Sequence, residues 1–362
     1  MSQTSLAAVF VGPGAPLELN RYPIPSLAPT AALARISYAT ICGSDLHSYF
    51  GRRHSPVPCV LGHEMVGRIA AVGPEGACDW KGEPLAIGDR VTWSMVWSCG
   101  ECWFCRHGLR AKCERLIKFG HEKMSAGNEL TGGMAEHCVL PPGTAIFRVP
   151  DNVPDRVASP ANCATATVAA VFRAVGDTDG QVVTIHGAGM LGLTACAMAA
   201  NRGAAAVIVV EPNAARREHA RSFGAAEVLD SAMPRQELSD HVKARTAGRG
   251  ADVGLEFAGY PESIETGIGL LRYGGSFIMA GATFPSRPVH LDAEQLVRRM
   301  ITMRGVYNYS PEDLGAALDF LSSVVDRCPF ADLVGAEFPL SEVSQAMQFA
   351  ETGNPPRVGL IA

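Results

Sequence analysis

"VVTIHGAGMLGLTACAMAANRG", from Val182 to Gly203, decides the fold. It opens as a compact apolar strand and continues, after a cluster of glycines, as a helix rich in Ala and Leu that stops at Gly203. A fully apolar strand that turns directly into a helix marks a parallel sheet covered on both faces. At the join, Gly187, Gly189 and Gly192 stand in G-x-G-x-x-G spacing. Any glycine-rich turn can produce that spacing, but following a strand and opening a helix is the context of a dinucleotide site. There Gly187 permits the tight turn, Gly189 lets backbone approach a pyrophosphate, and Gly192 lets the helix pack closely. The helix N-terminus at Met190 and Leu191 faces the phosphate charge.

Outward from this stretch the pattern repeats. "AAVIVVEPN" (Ala205 to Asn213) is a second buried strand, ending on Glu211 nineteen residues after Gly192. A carboxylate there accepts hydrogen bonds from ribose hydroxyls and repels a 2′-phosphate, which favours NAD over NADP. The bland alternative is a tight turn and a solvated Glu. The next helix, "AARREHARSFGA", carries Arg216 and Arg217, placed either at the adenosine end of a cofactor or in solvent; in the first case some NADP use stays open. "ADVGLEFAG" and "GGSFIMAG" read as further strands, and "PEDLGAALDFLSSV" as a helix. Before about Pro150 the chain instead breaks into short runs such as "VGRIAAVG" and "GDRVTW" between Gly and Pro, the texture of an antiparallel, barrel-like β domain.

The 362 residues, 47% hydrophobic and 19% charged, suit a globular protein of two or three domains. A net charge of −5 offers no basic field for nucleic acid. No apolar run approaches the ~18 residues that span a bilayer, and "MSQTSLAAVFVGPG" has no basic region leading into a signal core. The expected location is the cytoplasm, with no membrane or nucleic-acid partner. In a reducing compartment, clustered cysteines point to metal or catalysis rather than disulfides. "CGECWFCRHGLRAKC" places Cys99, Cys102, Cys105 and Cys113 at spacings of two, two and seven. Four thiolates satisfy a tetrahedral Zn²⁺ with no open position, a structural site. Cys59, Cys78, Cys138, Cys196 and Cys328 are scattered and read as small apolar residues.

A second set is spread widely: Cys42, Ser44, Asp45 and His47 in "ICGSDLH", His63 and Glu64 in "LGHEMVG", Cys163 and Thr167 in "PANCATAT". Cys42, His63 and Cys163 would give a catalytic zinc three ligands and leave one exchangeable position. Spacing alone does not link residues 120 positions apart, and a lone buried Cys or His is usually packing.

Taken together, these marks resemble the zinc-dependent medium-chain alcohol dehydrogenases, over essentially the whole chain and in consistent order. They are C-G-S-D with His five after the Cys, G-H-E, the four-cysteine lobe, P-A-N-C-A-T-A-T, and the glycine fingerprint with its acid. The resemblance implies an α/β protein with a GroES-like β-barrel catalytic domain and a doubly wound Rossmann domain. On this sequence that gives residues 1–155 with a zinc lobe at 97–115, then 156–306, then a return to the catalytic domain over 307–362. It implies Cys42, His63 and Cys163 as ligands of a catalytic zinc, Asp45 as the carboxylate orienting His63, and Glu64 as a transient ligand. Ser44 takes the substrate proton and passes it through the ribose hydroxyls to His47, while Thr167 contacts the nicotinamide. It also implies NAD, two zincs per chain, hydride transfer from a small alcohol, and a homodimer or homotetramer.

The polyol branch of the family places an arginine near Arg298 on substrate hydroxyls, and the G-R-R at Arg52 and Arg53 resembles a branch linked to phosphonate breakdown and cyclitol oxidation. With His54, Lys118, His121 and Arg299 these would line a cleft suited to a polyol, a cyclitol or an anionic hydroxyphosphonate. The other reading is solvated surface. Three competing functions fit less. A zinc-free quinone or enone reductase would lack the ligand set, a zinc-ribbon nucleic-acid binder conflicts with the charge and the fingerprint, and a silent NAD sensor would be expected to have lost its ligands.

Overall fold

The structure, a computed structural model, describes residues 3–353 and 355–362. The chain divides into two compact units. One runs through Ala166 and is completed by Ser310–Val325 and Phe330–Ala362; the other comprises Thr167–Tyr309 and Asp326–Pro329.

In the second unit six strands form one sheet, all parallel, in the order Glu227–Leu229, Ala206–Val210, Val182–His186, Ala251–Glu256, Leu271–Met279, Thr302–Gly305. Chain order reverses beside Val182–His186, so its carboxyl end is the switch point where open α/β sheets bind ligands. The strand's five residues are all buried, as its apolar run requires, and helix Met190–Asn201 leaves from the same end. Side chains including Ile208, Ile264, Leu271 and Phe277 form a core on this sheet.

The first unit is built on a seven-stranded, mostly antiparallel sheet. Its order is Ile146–Arg148, Arg90–Trp93, Glu64–Val72, Ala32–Ile41, Arg357–Ile361, Val334–Pro339, with His137–Leu140 also paired to Ala32–Ile41. A three-stranded sheet of Glu18–Pro23, Thr4–Phe10 and Cys59–Val60 completes it. Trp93, Phe119, Leu61, Met65 and Ile69 fill the core.

This unit extends beyond the boundary expected at 155. Helix Asp155–Ala158 and the tight turn Ser159–Asn162 pack on Ala32–Ile41 and Glu64–Val72, which keeps residues 156–166 with the β domain. The return also differs from 307–362: it starts at Ser310, and residues 326–329 belong with the parallel sheet. Of the scattered cysteines, Cys59, Cys138 and Cys196 are buried, Cys328 is partly so, and Cys78 is exposed. Among the described residues no helix is long and apolar enough to cross a membrane.

Candidate active site

Cys42 sits at the end of strand Ala32–Ile41 and caps helix Gly43–Tyr49. Two residues into that helix, Asp45 is fully buried, and one of its oxygens accepts the backbone N–H of Cys42 at 2.9 Å. The other accepts the N–H of Gly62 at 3.2 Å and lies 3.3 Å from Nδ1 of His63. One carboxylate therefore closes the helix cap, fixes the chain entering the next motif, and sets the ring of His63. With Nδ1 held, Nε2 is the nitrogen that could ligate a metal, the usual arrangement for a metal-bound imidazole. Ser44 Oγ lies 3.4 Å from that Nε2. His47 follows one turn later on the same helix, and burial, then the charge of Arg52, lowers its pKa, so the ring is a neutral base near pH 7.

Donor atoms of Cys42, His63, Glu64 and Cys163 all lie within 4.8 Å of one another. Zinc bonds of about 2.3 Å to sulfur and 2.0–2.1 Å to nitrogen hold tetrahedral ligand atoms about 3.5 Å apart, so the set fits that ion. A hydrogen bond from Cys163 holds the Cys42 thiol well below its ordinary pKa, with Arg357 adding to the effect; Cys163 itself is pushed well up. Burial alone would lower His63, but Asp45 and Cys42 outweigh it and push the ring up to about 10.

Glu64 has a partner the sequence did not reveal. Arg357, on the C-terminal strand and only 5% exposed, grips the fully buried Glu64 carboxylate through Nε and Nη2, both at 2.6 Å. Thr40 donates to the same carboxylate at 2.7 Å, and Arg357 Nη2 also reaches Cys42 Sγ at 3.5 Å. Burial raises the carboxyl of Glu64 even against that guanidinium. No motif surrounds Arg357; its only sequence signal is a charge inside an otherwise apolar terminal strand.

In the lobe, the sulfurs of Cys99, Cys102, Cys105 and Cys113 also lie within 4.8 Å, with Cys99–Cys105 at 3.9 Å and Cys102–Cys113 at 4.0 Å. Those spacings suit a four-thiolate zinc. Backbone N–H groups of Cys99 and Arg115 point at Cys113 Sγ at 3.3 Å, and that of Cys102 at Cys99 Sγ at 3.4 Å. Such donors stabilise thiolates, and backbone bonds from Glu101 and Cys102 bring Cys99 down to about 6.

The nucleotide fingerprint is equally specific in space. Gly187 takes φ +96°, and a Cβ there would press on Ala258 at 3.0 Å. A Cβ on Gly192 would meet the carbonyl oxygen of Gly187 at 1.8 Å, whereas one on Gly189 would meet nothing within 4 Å. Two positions are thus reserved for packing and the third is open, as a pyrophosphate-facing glycine requires. Met190 is buried and Leu191 half-buried in the first turn of the helix. Glu211 is buried, its carboxylate accepting the N–H of Ala188 at 2.7 Å and of Asn213 at 2.9 Å. Arg217 is committed to the Glu211 and Pro212 carbonyls and to Asp230 at 3.0 Å, and Arg216 is half-buried in the first turn after the Asn213 cap. Thr167 lies half-buried on helix Ala164–Val175.

The expected substrate arginines fare differently. Arg52 is exposed and bound bidentately by Glu351 at 2.6 and 2.9 Å. Arg298 is exposed on its helix and pairs with Glu294 at 2.7 Å, while Arg299 donates to the carbonyls of Ile268 and Leu271. Each of these three contacts a neighbouring carboxylate or carbonyl, and the charge of Arg52 also reaches His47. His54 is exposed. Arg53 and Lys118 are half-buried, and both add positive potential at His121, which is buried against the ring of His63 with centroids 5.4 Å apart.

The same division appears in the chain's relatives. Residues 28–151 match the family described as the alcohol dehydrogenase GroES-like domain, and residues 191–323 match the zinc-binding dehydrogenase family. The chain is 32% identical over 344 residues to an L-threonine 3-dehydrogenase of Aeromonas salmonicida, covering 93% of each. It is 29% identical over 354 residues to a 5-exo-hydroxycamphor dehydrogenase of Pseudomonas putida, covering 97% of each. The crystal structure of an alcohol dehydrogenase from Thermotoga maritima superimposes with a TM-score of 0.93 at 29% identity, covering 99% of both chains. With a zinc-ready donor set in a GroES-like domain and a nicotinamide fingerprint in a Rossmann sheet, this chain belongs to the zinc-dependent medium-chain alcohol dehydrogenase family.

Proposed function

We propose that the protein is an NAD-linked dehydrogenase with one catalytic and one structural zinc per chain, oxidising a polar secondary or polyhydric alcohol to a carbonyl. The observation that carries this is the convergence of Cys42, His63, Glu64 and Cys163 on one point, with Ser44 beside the ligating nitrogen. Bound there, zinc supplies a Lewis acid that eases loss of the alcohol proton, and the nicotinamide supplies a hydride acceptor.

The chain's own residues do the rest. Cys42, His63 and Cys163 would hold the metal, and Asp45 holds Nδ1 of His63 so that Nε2 would be the ligating nitrogen. Ser44 accepts the substrate proton, and His47, held as a neutral base by its burial, hands it to solvent. Arg357 and Thr40 keep the Glu64 carboxylate in reach of the metal without leaving its charge unpaired. Gly189, Met190, Leu191 and Thr167 receive the cofactor, and the buried Glu211 favours NAD by meeting ribose hydroxyls with a carboxylate. The four-cysteine lobe, with little core of its own, is stapled by its zinc.

The phosphonate reading draws on Arg52, Arg53 and Lys118, of which Arg52 is exposed and paired with Glu351, while Arg298 is exposed and paired with Glu294. Self-association has support as well. Thr302–Gly305 is an edge strand of the parallel sheet, and Val297, Met300 and Tyr273 near it are exposed apolar side chains, the features of a surface that pairs with a second copy. Metal analysis combined with a panel of secondary alcohols, polyols, cyclitols and hydroxyphosphonates, followed by NADH absorbance, tests the whole. Two zincs and NAD-dependent turnover of polar alcohols are expected; fewer zincs, or turnover of simple primary alcohols alone, would refute it.

A further inference from the structure

His121 is 7% exposed, and neither ring nitrogen has a hydrogen-bond partner. Buried polar groups are nearly always paired, and an unpaired one costs about 1–3 kcal/mol, so its retention calls for a use. The chain also takes trouble to put it there. Gly120, at φ +78°, lies so close to Gly62 that a Cβ would meet the Gly62 carbonyl oxygen at 2.4 Å. Gly62 O accepts the N–H of Gly133 at 2.7 Å, and Gly120 N donates to Thr131 O at 2.8 Å. This glycine stack clamps the segment bearing His121 directly onto the residue before His63. The two imidazoles meet at 5.4 Å between centroids, and one nitrogen of His121 falls within 4.8 Å of a ring nitrogen of His63 and a carboxylate oxygen of Asp45.

We propose that His121 is a specificity-determining residue whose imidazole hydrogen-bonds a second hydroxyl on the carbon next to the carbinol, so that vicinal diols are the preferred substrates. This deepens the polar-alcohol reading above and rests on it. The ring of His121 lies 5.4 Å from that of His63, whose Nε2 faces Ser44 Oγ at 3.4 Å, the side on which an alcohol oxygen would be held. The two oxygens of a vicinal diol are about 3 Å apart, and a hydrogen bond adds about 2.8 Å. A neutral imidazole offers one donor and one acceptor, the pair of functions a hydroxyl returns. A mono-alcohol would leave that buried ring unsatisfied, and such a site discriminates strongly against the analogue lacking the group.

The test compares 2,3-butanediol with 2-butanol in the zinc-loaded protein with NAD, alongside their dead-end binding to the NADH complex read by cofactor fluorescence. The wild type should favour the diol in both readouts. His121→Leu should lower the diol to mono-alcohol ratio of kcat/KM by 10- to 100-fold, with the same direction in binding. It should not lower the melting temperature, because it removes an unpaired polar group. His121→Gln, which keeps a donor and an acceptor, should recover much of the ratio. A ratio unchanged in His121→Leu, or a fall in both substrates together with a drop in melting temperature, would overturn the role. A wild type that oxidises 2-butanol as well as the diol would overturn the inference while leaving the dehydrogenase reading intact. Failure of both substrates in zinc-loaded protein would overturn the two together.

Discussion

Gly120→Ala offers a quantitative test of how the site is positioned. The residue has φ +78°, and an added Cβ would stand 2.4 Å from the Gly62 oxygen, 2.7 Å from its carbonyl carbon and 3.1 Å from its nitrogen. All three are backbone atoms, which cannot rotate away. Gly76 is the matched control, with φ +79° and nothing within 4 Å of its added Cβ. Gly76→Ala should therefore cost only the left-handed strain of an L-residue, about 1–2 kcal/mol. Gly120→Ala should cost that plus about 1–3 kcal/mol of overpacking. At about 2–4 °C per kcal/mol for a unit of this size, the second variant should melt about 2–12 °C below the first. Because Gly62 precedes His63, the displaced backbone should also reduce zinc bound at Cys42 and Cys163, which metal analysis on folded protein reads directly. Calorimetry on the two variants decides the matter. Equal melting temperatures, or an undiminished zinc content in Gly120→Ala, would refute the claim that this glycine contact holds the site.

Four further outcomes follow from the same geometry. Cys163→Ala should abolish turnover and release one of two zincs while the cofactor still binds by fluorescence; full activity would remove Cys163 from the site. Arg357→Met should destabilise the protein by about 3–5 kcal/mol by stranding the buried Glu64 charge, and adding Glu64→Gln should restore much of the loss, a cycle read by denaturant titration. Glu211→Ala should raise the kcat/KM ratio of NADP to NAD by at least about tenfold, since a carboxylate no longer repels the 2′-phosphate. Chelator that strips the four-cysteine lobe should open residues 99–113 to proteolysis while NAD still binds, and a lobe as resistant after stripping would show that its zinc is not structural.

What was legible in the sequence divides by how far apart the chemistry lies along the chain. The glycine fingerprint and the four-cysteine lobe each fit within fifteen residues, so spacing alone carries the geometry. Glycines are readable because nothing else fits: the 1.8 Å approach at Gly192 admits no side chain. Cys42, His63 and Cys163 could be joined only through the family's pattern, since three separate elements deliver them and no local rule links a strand end to a turn beyond residue 155. Arg357 escaped altogether, because it meets Glu64 across 293 residues with no motif around it. Arg52 and Arg298 show a different limit. Charge is visible in a sequence but its partner is not, and the partner decides whether an arginine is available to a ligand. For Arg52 the partner is 299 residues away; for Arg298 it is the Glu four positions earlier, a helix pairing that spacing does predict.

The Arg357 contact also gives a physical reason for the chain's return to its first unit. Strand Arg357–Ile361 inserts between Ala32–Ile41 and Val334–Pro339 and could have done so with any apolar sequence. Instead it begins with a charge that is buried beneath Cys42. In the proposed site two ligand thiolates would balance a divalent cation and leave nothing to offset a carboxylate at Glu64, and an uncompensated buried carboxylate would take up a proton instead of staying charged. Arg357 supplies the missing charge through a bidentate grip that lowers the Glu64 carboxyl against the rise burial causes. The last strand is therefore part of the site's electrostatics as much as of its sheet, because the strand that extends the sheet also brings the guanidinium that pairs the buried Glu64 carboxylate.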